Sequence, residues 1–321
     1  MADELTDGAL RYHRIPRPGK IEVVPTKPLA TQRDLSLAYS PGVAIACNEI
    51  VRVVQLIAPG FGGINLEDIS APRCFEVERR LRDLLDIPVF HDDQHGTAIV
   101  VMAALTNALR VVGKKLPEVR IAMAGAGAAG TAVLKLLLGA GATQITVADD
   151  QGAVYESRPG LNPSLRWIAE HTNRDGYAGD LAGALRGADV FIGLSAPHIL
   201  TADNIKTMAA NSIVFALANP EPEVDPDAAA EYAAVVATGR SDYPNQINNV
   251  LAFPGVFRGL LDAQSRHISD DMLIAAAQAL ADVVSPDEIG PHYIIPSVFH
   301  PDVTSSVAAA VRDAATAELG R

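Results

Sequence analysis

From residue 119 onward, short unbroken apolar runs alternate with longer stretches whose apolar positions recur every three or four residues. Val119 to Ala124, Gln144 to Ala148, Val190 to Leu194, Ile213 to Leu217 and Val235 to Ala237 are strand-length runs with no polar face. Strands of that kind are parallel and covered on both sides. Between and after them the spacing predicts helices over 129–140, 270–284 and 304–317. Upstream, 97–112 carries Ile99, Val100, Met102, Ala103, Leu105, Leu109 and Val112, the pattern of a buried helix. Residues 76–86 read as a charged helix leading into a short buried strand at Ile87 to Phe90. Residues 1–40 read as a loosely structured approach, because Pro16, Pro18, Pro25 and Pro28 interrupt any long helix.

This alternation predicts an α/β protein. A Rossmann-type doubly wound parallel sheet is expected over 96–321, with a smaller, shortened α/β domain over 1–95. The chain has 321 residues, room for two cores, and its 49% hydrophobic and 20% charged residues are ordinary globular composition. A formal charge of −12 argues against a nucleic-acid partner. A small anionic substrate stays open, since a bound cation reverses the local field. Only Cys47 and Cys74 are present, which suits a reducing cytoplasm better than a disulfide framework. No apolar run appears long enough to span a bilayer, the longest being Ala98 to Leu105, so no membrane is expected.

Two features carry chemistry. The first is Gly125-Ala126-Gly127-Ala128-Ala129-Gly130, between an apolar strand and a helix. Gly125 suits the tight turn, Gly127 the approach of a pyrophosphate, and Gly130 helix–strand packing. The amides of Ala128 and Ala129 open the helix and favour phosphate charge. Asp149 lies 19 residues past Gly130, at the end of the next strand, placed to accept from the adenosine ribose. With Asp150 beside it, it disfavours a 2′-phosphate, so NAD is expected over NADP, which stays possible.

The second is a pair of acidic clusters, Asn65-Leu66-Glu67-Asp68 and His91-Asp92-Asp93-Gln94-His95. Carboxylates of this kind suit Mg²⁺ or Mn²⁺. Adjacent residues on a strand face opposite ways, so Glu67 and Asp68 could converge only at a strand end or turn. Spacing alone reads equally well as a helix-capping pair before Ser70-Ala71-Pro72.

Phe61 to Glu76, Ile87 to Thr97 and Leu35 to Ala44 closely resemble bacterial malic enzymes. So do Gly193-Leu194-Ser195-Ala196-Pro197, Ala216-Leu217-Ala218-Asn219-Pro220 and Tyr243-Pro244-Asn245-Gln246-Ile247-Asn248-Asn249. The resemblance covers nearly the whole chain. It implies metal-dependent oxidative decarboxylation of L-malate to pyruvate and CO₂ with reduction of NAD(P)⁺, in a homodimer. It implies Glu67, Asp68 and Asp93 as cation ligands and Tyr39 as the acid that protonates the enol carbon. It further implies Ser195 and Asn219 on the cofactor, Asn219 and Asn249 on the substrate, and Asp92 as the acid that orients a catalytic lysine.

That lysine is absent. In the family a long segment carrying it separates the Tyr-Ser-Pro-Gly and Phe-Gly-Gly motifs. Here only 28 residues separate Tyr39 from Glu67, and the shortening falls between 44 and 60. Lys20, Lys27, Lys114, Lys115, Lys135 and Lys206 match no catalytic position, and Lys114-Lys115 reads as capping the preceding helix. Either the polypeptide is shortened there, which should leave core surface exposed, or a stretch has dropped out of the sequence. The alternative function is a silent or decarboxylase-only nucleotide-binding homologue. A different hydroxyacid dehydrogenase on the same fold is a third reading.

Overall fold

The computed structural model describes residues 10–13, 20–23 and 41–319. Its larger sheet has the order β10-β9-β8-β5-β6-β7. The strands are β5 (Arg120–Ala124), β6 (Gln144–Asp149), β7 (Gly152–Ala153), β8 (Val190–Gly193), β9 (Ile213–Ala216) and β10 (Val235–Thr238). All pair in parallel except the two-residue edge strand β7. The expected doubly wound sheet is therefore present. The register pairs Ala124 with both Ala148 and Gly193, and Gly193 with Ala216, so the carboxyl ends lie level. The chain leaves β5 toward β6 on one side and returns to β8 on the other. The crevice of such a sheet opens at that reversal.

The strands are apolar through most of their length, with polar residues such as Arg120, Gln144, Asp149 and Thr238 at their ends, because both faces are covered. Ile121, Met123, Ile145, Val147, Ile192 and Phe215 pack with helices Thr97–Val112, Ala128–Gly139, Asp270–Asp282 and Val303–Leu319. Ala122, Ala124, Phe191, Val214 and Ala216 face Leu185, Ile205 and Ala229 on the other side. The helix at Phe253–Asp262 was not legible, since Phe253-Pro254-Gly255 reads as a breaker. Its glycines serve packing: a Cβ at Gly255 would lie 2.6 Å from Val307 Cβ, and one at Gly259 2.5 Å from the Ala308 carbonyl.

The smaller sheet runs β1-β2-β3-β4, from β1 (Leu10–His13), β2 (Lys20–Val23), β3 (Gly63–Leu66) and β4 (Val89–His91). The first pair is antiparallel and the rest parallel. The expected loose approach is thus corrected at 10–13 and 20–23. Leu-Arg-Tyr-His and Lys-Ile-Glu-Val each alternate apolar and polar, and the prolines fall outside both strands. Helices Pro41–Ile57 and Arg73–Leu84 accompany this sheet. Cys47, Val51 and Val54 form its core with Ile64, Leu66, Cys74, Val77 and Leu81. The helix Pro41–Ile57 passes unbroken through the region of the expected shortening. Within that region Cys47, Val51 and Val54 are buried, while Val53 and Leu56 are 49% and 72% exposed.

Two smaller corrections follow. Lys114 does not cap its own helix; its ammonium reaches Asp189 at 2.8 Å and the Ala210 carbonyl at 2.7 Å, while Gly113 ends the helix in a left-handed turn. And Asp92–Val112, 21 residues, is by length and composition a helix long and apolar enough to cross a membrane, although 61% of its apolar window is buried inside the protein as in a core helix.

Candidate active site

A cleft of about 630 Å³ lies over the carboxyl ends of β5, β6 and β8, lined among others by Gly125, Gly127, Asp149, Asp150 and Ser195. It adjoins a second of about 510 Å³, lined by Asp93, Thr97, Ala129, Ser195, Asn219, Asn248 and Asn249. Leu194 and Ser195 belong to both, so the crevice is continuous across the topological switch point.

On the nucleotide side the turn has the expected form. Gly125 has φ +107°, and a Cβ there would lie 2.3 Å from the Leu194 carbonyl. A Cβ at Gly130 would lie 2.0 Å from the Gly125 carbonyl, which is the helix–strand contact expected of it. Gly127 meets nothing within 4 Å, leaving its surface to a ligand. The helix begins at Ala128, so the amides of Ala128 and Ala129 belong to its first turn, where no earlier carbonyl can accept them.

Asp149 ends β6 as expected, but its carboxylate is engaged. Arg158 donates Nη1 to Oδ1 at 2.9 Å and Nη2 to Oδ2, and the Gln151 amide also donates to Oδ1 at 2.9 Å. The two side chains are only 8% and 14% exposed. Arg158 holds the Gly152 and Ala153 carbonyls as well, at 3.3 and 3.2 Å. Sequence reading missed this arginine; the signal available was a lone Arg nine residues after a strand-ending acid.

On the other side, Asp92–Gly96 forms a π-helical turn between β4 and the long helix. Such turns recur at functional sites. Asp92 is buried and accepts from Asn249 Nδ2 at 2.9 Å. A Cβ at Gly96 would lie 2.0 Å from Asp92 Oδ1, so the Asp92 carboxylate packs directly on the glycine backbone. Buried Glu78 braces the turn from behind, accepting from Gln94 at 3.0 Å and bonded to His95 Nε2 at 2.6 Å. Burial opposes the charge on Glu78, yet the neighbouring His95, His91 and Arg82 hold its carboxyl below the usual range.

β3 stops at Leu66, and Asp68 turns the backbone with φ 56°, a conformation aspartate tolerates better than most residues. The strand-end condition for Glu67 and Asp68 is met. The Asp68 amide donates to Asp93 Oδ2 at 2.7 Å, and Asn65 Nδ2 to Glu67 Oε1 at 2.5 Å. Asp68 and Asp93 are thus joined and Asp93 lines the second cleft, while the oxygens of all three acids are of the kind a hard cation takes. They do not converge on a point: among the described residues no three His, Cys, Asp or Glu side chains form a metal cluster. Tyr39 lies outside the described residues.

A further residue not foreseen is Glu223, fully buried. Its Oε1 accepts from the Ser195 amide at 2.9 Å and its Oε2 from the Ala218 amide at 3.0 Å. It ties the loop after β8, which lines both clefts, to the loop after β9, which lines the second. Burial pushes its carboxyl above the usual range, against those hydrogen bonds. The Gly-Leu-Ser and Ala-Asn-Pro motifs were legible, but nothing marked the Glu three residues past Pro220 as their link.

Residues 94–316 match the family described as malic enzyme, NAD binding domain. The NAD-dependent malic enzyme of Geobacillus stearothermophilus is 56% identical over 267 residues, covering 83% of this chain and 56% of that one. The NADP-dependent malic enzyme of Halomonas elongata is 39% identical over 402 aligned positions, covering 98% of this chain and 94% of that one. At least 81 of those 402 positions face a gap here, because this chain has only 321 residues. Among solved structures, the NAD-dependent malic enzyme of Thermotoga maritima aligns with TM-score 0.80 at 35% identity, covering 97% of this chain and 98% of that one. The chain spans between about half and two-thirds of the length of several curated relatives, 56%, 66% and 53% in three of them. With its fold and the crevice at its switch point, this chain belongs to the malic enzyme family.

Proposed function

We propose that the chain carries out oxidative decarboxylation of L-malate to pyruvate and CO₂ with reduction of NAD(P)⁺. The observation that supports it best is the continuous crevice joining the Gly125–Gly130 turn to Asp93, Asn219 and Asn249. The amides of Ala128 and Ala129 would hold the nucleotide pyrophosphate, and Ser195 and Asn219 would lie on its nicotinamide side. The amides of Asn219 and Asn249 hold a substrate carboxylate, with Asn249 oriented by Asp92. Glu67, Asp68 and Asp93 would have to draw together to hold Mg²⁺ or Mn²⁺, which would then supply Lewis-acid polarisation of the substrate oxygens. The bound nucleotide would take hydride from C2 of malate; CO₂ would then depart and Tyr39 would return a proton to the enol carbon, while the acceptor of the hydroxyl proton is not among the described cleft residues. The two sheets fit a division into a substrate and metal domain over 1–95 and a nucleotide domain over 96–321. Two free, buried cysteines fit a cytoplasmic setting, and a homodimer follows the family. The test is malate-dependent NAD(P)H formation with Mn²⁺.

A second reading, nucleotide binding without malate oxidation, has one observation in its favour. Among the described residues no lysine lines either cleft: Lys114 is held by Asp189, Lys135 stands 5.2 Å from the Trp167 ring centre, and Lys206 stands 5.7 Å from that of Tyr232. A missing general base lowers turnover by about 10²–10⁴-fold. Pyruvate release from oxaloacetate without malate oxidation would favour that reading.

A further inference from the structure

We infer that Glu223 is a positioning residue for the nicotinamide end of the crevice: its two carboxylate oxygens set the spacing of the loops that follow β8 and β9. The inference rests on reading this crevice as a nucleotide site and adds how one end of it is held. Glu223 is fully buried, and both amides it accepts from belong to residues that line the second cleft, Ser195 at 2.9 Å and Ala218 at 3.0 Å. Leu194 precedes the first, and Leu217 and Asn219 flank the second, and all three line the same cleft. Glu223 is not among the lining residues of either cleft, so it acts through the two amides rather than on a ligand.

Two observations separate this role from general bracing. The same two loops are already joined farther from the cleft, where the His198 amide donates to the Pro222 carbonyl at 3.0 Å and the Leu200 amide to the Glu223 carbonyl at 2.9 Å. Joining the loops therefore does not need the Glu223 side chain; what that side chain governs is their cleft ends. Strand β8, moreover, gives up a side chain to admit it. Gly193 ends β8 in register with Ala124 and Ala216, and a Cβ there would lie 2.6 and 2.7 Å from the two Glu223 oxygens. Gly193 is not among the glycines with positive φ, so the backbone does not demand a glycine; the close approach of the carboxylate does. A carboxylate suits the place because it presents an acceptor to each amide, whereas a glutamine would face one of them with its own donor.

The experiment is calorimetric binding of NADH, and of ADP-ribose, which lacks the nicotinamide, to the full chain without substrate. Glu223→Gln keeps the shape but sets one amide donor to donor, so NADH affinity should fall by at least about fivefold while ADP-ribose affinity stays within about twofold. Gly193→Ala drives a methyl against the carboxylate and should give the same split; this variant decides the matter if Glu223→Gln does not fold. The doubly substituted chain should bind NADH within about twofold of the weaker single variant, because both changes act through one carboxylate. Equal losses of both ligands, an unchanged NADH affinity in both single variants, losses that multiply in the double variant, or loss of the fold in both single variants overturns the inference while leaving the nucleotide site standing. Binding of neither ligand by the unsubstituted chain overturns both.

Discussion

Asn249 donates its side-chain amide to the buried Asp92 carboxylate at 2.9 Å, across 157 residues of chain. The bond joins the π-helical turn that opens the long core helix to the loop beyond β10. It also fixes which end of the Asn249 amide faces the crevice. With the amide nitrogen committed to Asp92 by one hydrogen, its second hydrogen and the carbonyl would serve the substrate in the proposed reaction.

Asn249→Ala should therefore raise KM for malate by about tenfold or more, since a hydrogen bond to a charged group is worth roughly 1.5–3 kcal/mol. Nucleotide affinity should stay within about twofold. Steady-state kinetics with separate nucleotide binding checks both. An equal loss of both affinities would show that the pair merely holds the fold.

Glu223 gives a pH signature. Burial raises its carboxyl above the ordinary 4.5, so the folded state favours the proton. Its contribution to stability is full below the ordinary value and is lost as pH rises through the raised one. Protonation, however, turns an acceptor oxygen into a donor facing the Ser195 or Ala218 amide. Nucleotide affinity should fall on acidification while this group's contribution to stability grows. Glu223→Gln should flatten both trends, measured by urea unfolding and nucleotide binding across pH. If neither curve changes in the variant, Glu223 does not clamp the loops.

Both cysteines should be inert in the native protein. Cys74 is fully buried and its thiol is pushed up to about 12, chiefly by burial. At pH 8 about one thiol in ten thousand would be ionised, and the thiolate is the reactive form. Cys47 is 5% exposed and burial raises its thiol too. Reaction with an aromatic disulfide reagent should wait for denaturant. Prompt native-state labelling would contradict the closed core of the smaller sheet.

The cation ligands can be checked without turnover. Asp93→Asn should weaken Mn²⁺ binding, read by electron paramagnetic resonance, by about tenfold or more, because it removes a charged hard ligand. Glu67→Gln and Asp68→Asn should act in the same direction. Mn²⁺ affinity indifferent to all three would place the cation elsewhere or nowhere.

The sheet was legible because strands covered on both faces must be apolar through most of their length. β5, β6, β8, β9 and β10 all lie within a residue or two of their expected bounds. The Thr97–Val112 helix was legible for the related reason that most of its surface is buried. The short hairpin strands at Leu10–His13 and Lys20–Val23 were lost among prolines, and the Phe253–Asp262 helix among glycines that serve close packing. At the site, the glycine turn and Asp149 declared themselves by spacing. What spacing did not reveal were the partners of these side chains, whether a few residues away or far along the chain. Arg158 on Asp149, Glu223 on the Ser195 and Ala218 amides, and Asn249 on Asp92 are pairings that only the tertiary fold creates.

The most direct measurement is malate-dependent formation of NAD(P)H with Mn²⁺ by the purified chain, with pyruvate quantified alongside. Equal amounts of pyruvate and reduced nucleotide are expected, at a rate lowered by about 10²–10⁴-fold if no other group replaces the missing lysine. No reduced nucleotide with either NAD⁺ or NADP⁺, beyond the uncatalysed background, would contradict the proposed activity.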